Sequence, residues 1–119
     1  IVQKLGVQGI RHHTMGAHFR HRDEASLFEQ WLHRAIEDCL DVDLLIYQAG
    51  ADPHVNDPLG KVLTGVQMAK RDHAVFSAFQ GRPLVWNLAG GYQRDVNGGI
   101  EPVLKLHRTT AQIQNIYQP

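Results

Sequence analysis

A chain of 119 residues and 13.4 kDa, 43% of it hydrophobic, suits one domain with a modest core and is too apolar to remain disordered. Twelve basic residues balance twelve acidic ones, so no bulk attraction to nucleic acid or to an anionic membrane is built in. No apolar run approaches the roughly 18 residues of a membrane span. The lone Cys39 excludes an internal disulfide, and no secretion signal precedes the domain, which together point to a reducing cytoplasm. The first residue is Ile1 rather than methionine, as in an excised, cleaved or truncated product.

In chain order, residues 1–5 read as the tail of a helix stopped by Gly6 or as a short strand, and residues 7–10 as a weak strand interrupted by Gly9. Residues 11–22 have no periodicity and hold His12, His13, His18 and His21, half of the eight histidines, which marks a histidine-rich loop. A helix is predicted over 24–40, with Asp23 placed to cap its free amides. Leu27, Phe28, Trp31, Leu32, Ala35, Ile36 and Cys39 recur at helical spacing and predict a broad buried stripe, making Trp31 and Cys39 packing residues. Residues 44–48 form an apolar run without alternation, the pattern of a strand covered on both faces. Asp57-Pro58-Leu59-Gly60 follows as a turn, with Pro58 suited to its first central position.

Thr64 and Gln67 have the spacing of a capping box and open a helix running to residue 79, with Val66, Ala69, His73, Phe76 and Phe79 expected on its inner face. Gly81, Arg82 and Pro83 end it, and residues 84–89 supply a second apolar strand. After a loop over 93–99, a last helix is predicted over 101–117, with Pro102 tolerated in its first turn. Leu104, His107, Ala111 and Tyr117 fall near one face of it, and Val103, Leu106, Ile113 and Ile116 widen the apolar area. Alternating strands and helices predict an α/β domain with a parallel sheet flanked by helices. Two or three apolar strands leave the edges of so narrow a sheet in need of cover, by self-association or by a further segment.

Two strand endings carry the candidate chemistry. Leu44-Leu45-Ile46-Tyr47-Gln48-Ala49-Gly50-Ala51-Asp52-Pro53-His54 brings a carboxylate to the end of an apolar run, where parallel sheets collect ligands. Asp52 is either a turn acid or a hard oxygen ligand, and Asp-x-His with His54 is a weak zinc pair, because zinc sites need at least three protein ligands. Leu84-Val85-Trp86-Asn87-Leu88-Ala89-Gly90-Gly91-Tyr92 repeats the plan with a phenol. Gly90 and Gly91 allow close approach of the backbone to a ligand, and Tyr92 can donate to an oxyanion or simply follow a turn. Four imidazoles within ten residues, His12 to His21, can bind a transition metal, although Arg11, Arg20 and Arg22 interleave with them and repel a cation. His33 and His107 sit on helices and read as structural or surface residues. Neither a phosphate-binding glycine fingerprint nor Gly-x-Ser-x-Gly occurs.

The segment 43–54, then Asp57-Pro58-Leu59-Gly60, then Asn87-Leu88-Ala89-Gly90-Gly91-Tyr92, resembles the histone deacetylase superfamily, which includes bacterial acetylpolyamine amidohydrolases. The resemblance is clearest over 24–119 and matches the C-terminal part of that family's three-layer arginase/deacetylase fold. It implies zinc-dependent hydrolysis of acetylated amines such as acetyl-lysine or acetylpolyamine. Asp52 would be the last of the family's three zinc ligands, and the metal would activate a water. Tyr92 would polarise the acetyl carbonyl and stabilise the oxyanion. Asp57 would hold its loop rather than perform chemistry, and His54 need not be a ligand.

The family's other two ligands, an aspartate and a histidine one residue apart after an earlier strand, have no equivalent here. His12-His13 imitates its catalytic histidine pair, but His13 stands 39 residues before Asp52 with no ligand-bearing strand between, so no base role is assigned. Residues 1–119 are accordingly expected to form a single partial deacetylase-like domain, inactive alone, which pairs with a missing N-terminal part or with itself. The contrasting reading is a non-catalytic oligomeric or accessory binding protein derived from a half-domain.

Overall fold

A computed structural model describes residues 25–119, with side chains from Leu27 onward. The expected strands over 1–10, the histidine-rich loop over 11–22 and the Asp23 cap lie outside the described residues. Within them the order is α1 (Ala25–Glu37), β1 (Leu45–Gly50), α2 (Gly65–Ala78), β2 (Leu84–Ala89) and α3 (Glu101–Tyr117). The two strands pair in parallel, in a register that sets Leu45 beside Leu84, Tyr47 beside Trp86 and Gly50 beside Ala89. Parallel neighbours need a crossover, and α2 supplies it. The domain is therefore α/β, with a parallel sheet and three helices.

The core sits on one face of that sheet. Phe28 and Leu32 of α1 meet Val62, Leu63, Met68 and Val75, with Leu45, Tyr47 and Leu84 packed against them. Phe76 is fully buried and meets Tyr47 and Trp86 edge-on at centroid distances of 5.7 and 6.3 Å. Burying a side chain of this size contributes roughly 1.5–3 kcal/mol. The opposite face, expected to be covered, is open among the described residues: Ile46 and its register partner Val85 are 71% and 55% exposed. Leu27, assigned to the buried stripe of α1, is also exposed, whereas Trp31, Ala35, Ile36 and Cys39 are half-buried.

The helix starts follow local chemistry. Thr64 Oγ1 accepts the Gln67 N–H at 3.3 Å, and Gln67 Oε1 accepts the Thr64 N–H at 2.9 Å, completing the predicted capping box of α2. The buried line of α2 runs through Met68, Arg71, Asp72, Val75 and Phe76, while Val66 in its first turn faces solvent. Helix α3 begins without a side-chain cap, with Pro102 in its first turn. It buries Val103, Thr110 and Ile113 and leaves Ile116 exposed. The preceding loop is ordered by Asp95, whose Oδ1 accepts the N–H groups of Asn97 and Gly99, both at 2.8 Å.

Candidate active site

Because β1 and β2 are parallel and in register, both chains leave the sheet at the same edge. The ladder extends one step, with Ala51 N donating to Ala89 O at 2.9 Å, so Asp52 and Gly90 emerge side by side. Asp52, Gly90 and Tyr92 line one cavity of about 440 Å³ together with Gln48, Pro53 and Arg71. Tyr92 is 49% exposed and Asp52 is half-buried. Gly90 has φ +55°, and a β-carbon there would stand 2.2 Å from Asp52 Oδ1, so the carboxylate rests against bare backbone. Gly91, with φ +112°, points the other way, and its missing side chain makes room for Val103.

The two acids of the loop after β1 do different work. Asp57 is fully buried: its Oδ1 accepts the Leu59 N–H at 2.9 Å, and its Oδ2 accepts the Tyr92 N–H at 2.7 Å. It holds its loop, as expected, and it also fixes the backbone that carries Tyr92. Asp52 makes no side-chain hydrogen bond among the described residues, so its oxygens remain available to whatever enters the cavity.

His54 is placed elsewhere. Its Nδ1 accepts the Asn56 N–H at 3.2 Å, and its ring lines a separate cavity against the start of α2. Burial lowers its pKa, only partly countered by Asp57. The cluster His12, His13, His18 and His21 lies outside the described residues. Among the described residues, no group of three His, Cys, Asp or Glu side chains is close enough to hold a metal ion. A catalytic zinc site needs at least three protein ligands. The described residues therefore do not fit a complete zinc site, and Asp52 stands as a single donor.

Beneath the cavity lies a polar cluster that the sequence reading missed. Arg71 Nε donates to Asp72 Oδ1 at 2.9 Å, and Arg71 Nη1 donates to Gly50 O at 2.8 Å, bracing the last residue of β1. Tyr47 and Thr110 donate their hydroxyls to Oδ1 and Oδ2 of Asp72, so the buried carboxylate is satisfied from three elements. Burial drives the Tyr47 phenol pKa well above its ordinary value, with Arg71 opposing and Asp72 reinforcing the shift. His107 approaches the same edge from α3, where burial lowers its pKa against a backbone hydrogen bond to Gly90. The spacing 68, 71, 72, 75, 76, 79 was the available signal, since it is a regular helical stripe once charged residues are admitted to it.

The described residues thus form an α/β domain with a parallel sheet, a carboxylate and a phenol at adjacent strand ends, and a buried Arg–Asp pair beneath them. The sequence matches the histone deacetylase domain over residues 2–103, and the chain belongs to that family. It is 32% identical over 90 residues to an uncharacterized protein of Picosynechococcus sp. (strain ATCC 27264 / PCC 7002 / PR-6), an alignment covering 71% of this chain and 30% of that relative. The chain thus spans less than a third of the length of the curated relative it matches. No solved structure matches. Among the described residues no helix is long and apolar enough to cross a membrane.

Proposed function

We propose that this chain is the C-terminal part of a zinc-dependent amidohydrolase that deacetylates amines such as acetyl-lysine or acetylpolyamine, working in the cytoplasm. Asp52 serves as one zinc ligand, and the remaining ligands come from outside residues 25–119. Tyr92 donates its phenolic hydrogen to the oxyanion that develops as the amide carbonyl becomes tetrahedral. Gly90 keeps the backbone clear of the Asp52 carboxylate, and Asp57 holds the Tyr92 backbone from behind. One observation carries this reading: of the two acids in the loop, Asp57 meets the structural demands, leaving Asp52 unbonded in the cavity it shares with Tyr92.

The partner in this reading is the remainder of the domain, seated against the open sheet face of Ile46 and Val85. The same exposed face also supports a second reading, a non-catalytic unit that associates with itself. Tyr92→Phe and Asp52→Ala in the complete parent domain separate the two. Tyr92→Phe is expected to lower kcat by about 100–1000-fold with zinc content unchanged, the usual cost of one oxyanion donor. Asp52→Ala is expected to lose metal as well as activity. Equal metal content and unaltered turnover in both variants would leave only the non-catalytic reading.

A further inference from the structure

Apart from the Asp52 cavity, a second pocket of about 510 Å³ lies between the first turns of α2 and α3, behind the loop that carries His54. Its polar lining is rich in donors. Gln93 is only 6% exposed, yet its Nε2 is buried without a hydrogen-bond partner among the described residues. An unpaired buried amide is costly and rare in native proteins. Gln93 lines this pocket, and turning its amide about the terminal bond would bring the nitrogen toward an acceptor seated there.

Four further donors belong to residues lining the same space. His54 Nδ1 accepts from the Asn56 backbone, so the ring proton sits on Nε2. That nitrogen lies 3.8 Å from the position of a β-carbon built on Gly65, facing the start of α2. The amides of Gly65 and Val66, the first two of the helix, have no intrahelical acceptor, because the Thr64 cap is taken by Gln67. Lys105 lines the opposite wall from α3 and forms no ion pair among the described residues. Among the described residues no aspartate or glutamate lines the pocket, and Glu101 at the start of α3 is engaged by Arg108.

We propose that this pocket binds a small oxyanion, a phosphate or carboxylate group, held by Gln93, His54, Lys105 and the first turn of α2. A helix start combined with a lysine and neutral donors matches the requirements of such a group in shape and charge. The site is separate from the Asp52 cavity and does not depend on the deacetylase reading.

The test is a titration of the full chain with inorganic phosphate and with acetate, at constant ionic strength, following amide signals by NMR. Saturable shifts at Gly65, Val66 and the Gln93 side-chain amide are expected with at least one of the two anions. Saturation by phosphate alone assigns a tetrahedral anion, and saturation by acetate alone assigns a carboxylate. Gln93→Leu and Lys105→Ala should each weaken binding about 10-fold, the usual scale for one hydrogen bond to a charged group. Asp52→Asn should leave it unchanged. Lys105 is exposed, so its variant keeps the fold if Gln93→Leu does not. Failure of both anions to saturate, or saturation indifferent to Lys105→Ala, overturns the proposal.

Discussion

The buried carboxylate of Asp57 accepts the Tyr92 backbone N–H at 2.7 Å, across 35 residues of chain. This bond ties the loop after β1 to the loop after β2, and so couples the two residues with candidate chemistry through a third. Asp57→Asn keeps the shape but turns one acceptor oxygen into a donor. With the side chain fully buried, the mismatch should cost about 1–3 kcal/mol. Urea unfolding should show a lower midpoint at constant slope, and the Tyr92 amide proton should move upfield as its acceptor weakens. An unchanged Tyr92 resonance would mean that the bond does not hold this loop.

Gly60 approaches the Asp52 backbone too closely for any side chain. A β-carbon there would lie 1.8 Å from Asp52 O and 2.7 Å from Pro53 Cα, both rigid backbone atoms. Gly60→Ala must therefore displace the loop that presents Asp52, at the upper end of the cost of overpacking, about 3 kcal/mol. Thermal unfolding measures the stability loss, and chemical-shift changes centred on residues 51–54 locate it. A variant as stable as the parent would contradict this close approach.

Tyr47 predicts the behaviour at alkaline pH. Its phenol pKa is raised above the ordinary value of about 10, chiefly by burial, while an unfolded chain would ionise it near that value. Above pH 10 the unfolded state has lost the proton that the folded state keeps, so stability falls as pH rises. The slope approaches about 1.4 kcal/mol per pH unit from this group. Tyr47→Phe removes the titrating group, so its stability should decline less steeply between pH 10 and 11. Identical slopes in the two proteins would place the Tyr47 hydroxyl in water rather than against Asp72.

Much of the fold was legible because it is locally determined. The Thr64–Gln67 box, the Gly81–Pro83 break and the span of β2 each depend on a few adjacent residues. So did the shared edge of Asp52 and Tyr92, once parallel strands followed from the strand–helix–strand order. Non-local choices were not legible. An apolar run such as 44–48 reads as buried on both sides, yet Ile46 faces outward, because periodicity cannot tell which other segments are present to cover a face. Arg71 and Asp72 were not singled out, since the Tyr47 and Thr110 hydroxyls that satisfy Asp72 come from elements 25 and 38 residues away. The separation of His54 from Asp52 was equally hidden, because two residues of loop suffice to turn a ring to the far side of a strand end.

The chain alone is the subject of the last prediction. Asp52 is the single donor of its cavity among the described residues, short of the three ligands that a catalytic zinc requires. Tyr92 can lower a barrier only if an attack on a carbonyl first creates the oxyanion it serves. The purified 119-residue chain is therefore expected to retain no stoichiometric zinc after dialysis and to turn over neither acetyl-lysine nor acetylpolyamine substrates. Its open sheet face, with Ile46 beside Val85, should make it associate, seen as a dimer or larger species in light scattering. Ile46→Lys with Val85→Lys should shift that species toward monomer. Metal analysis paired with the two deacetylation assays decides the catalytic half of the prediction. Stoichiometric zinc with metal-dependent turnover would require further ligands from this same chain, and His12, His13, His18 and His21 would then be the residues to substitute first.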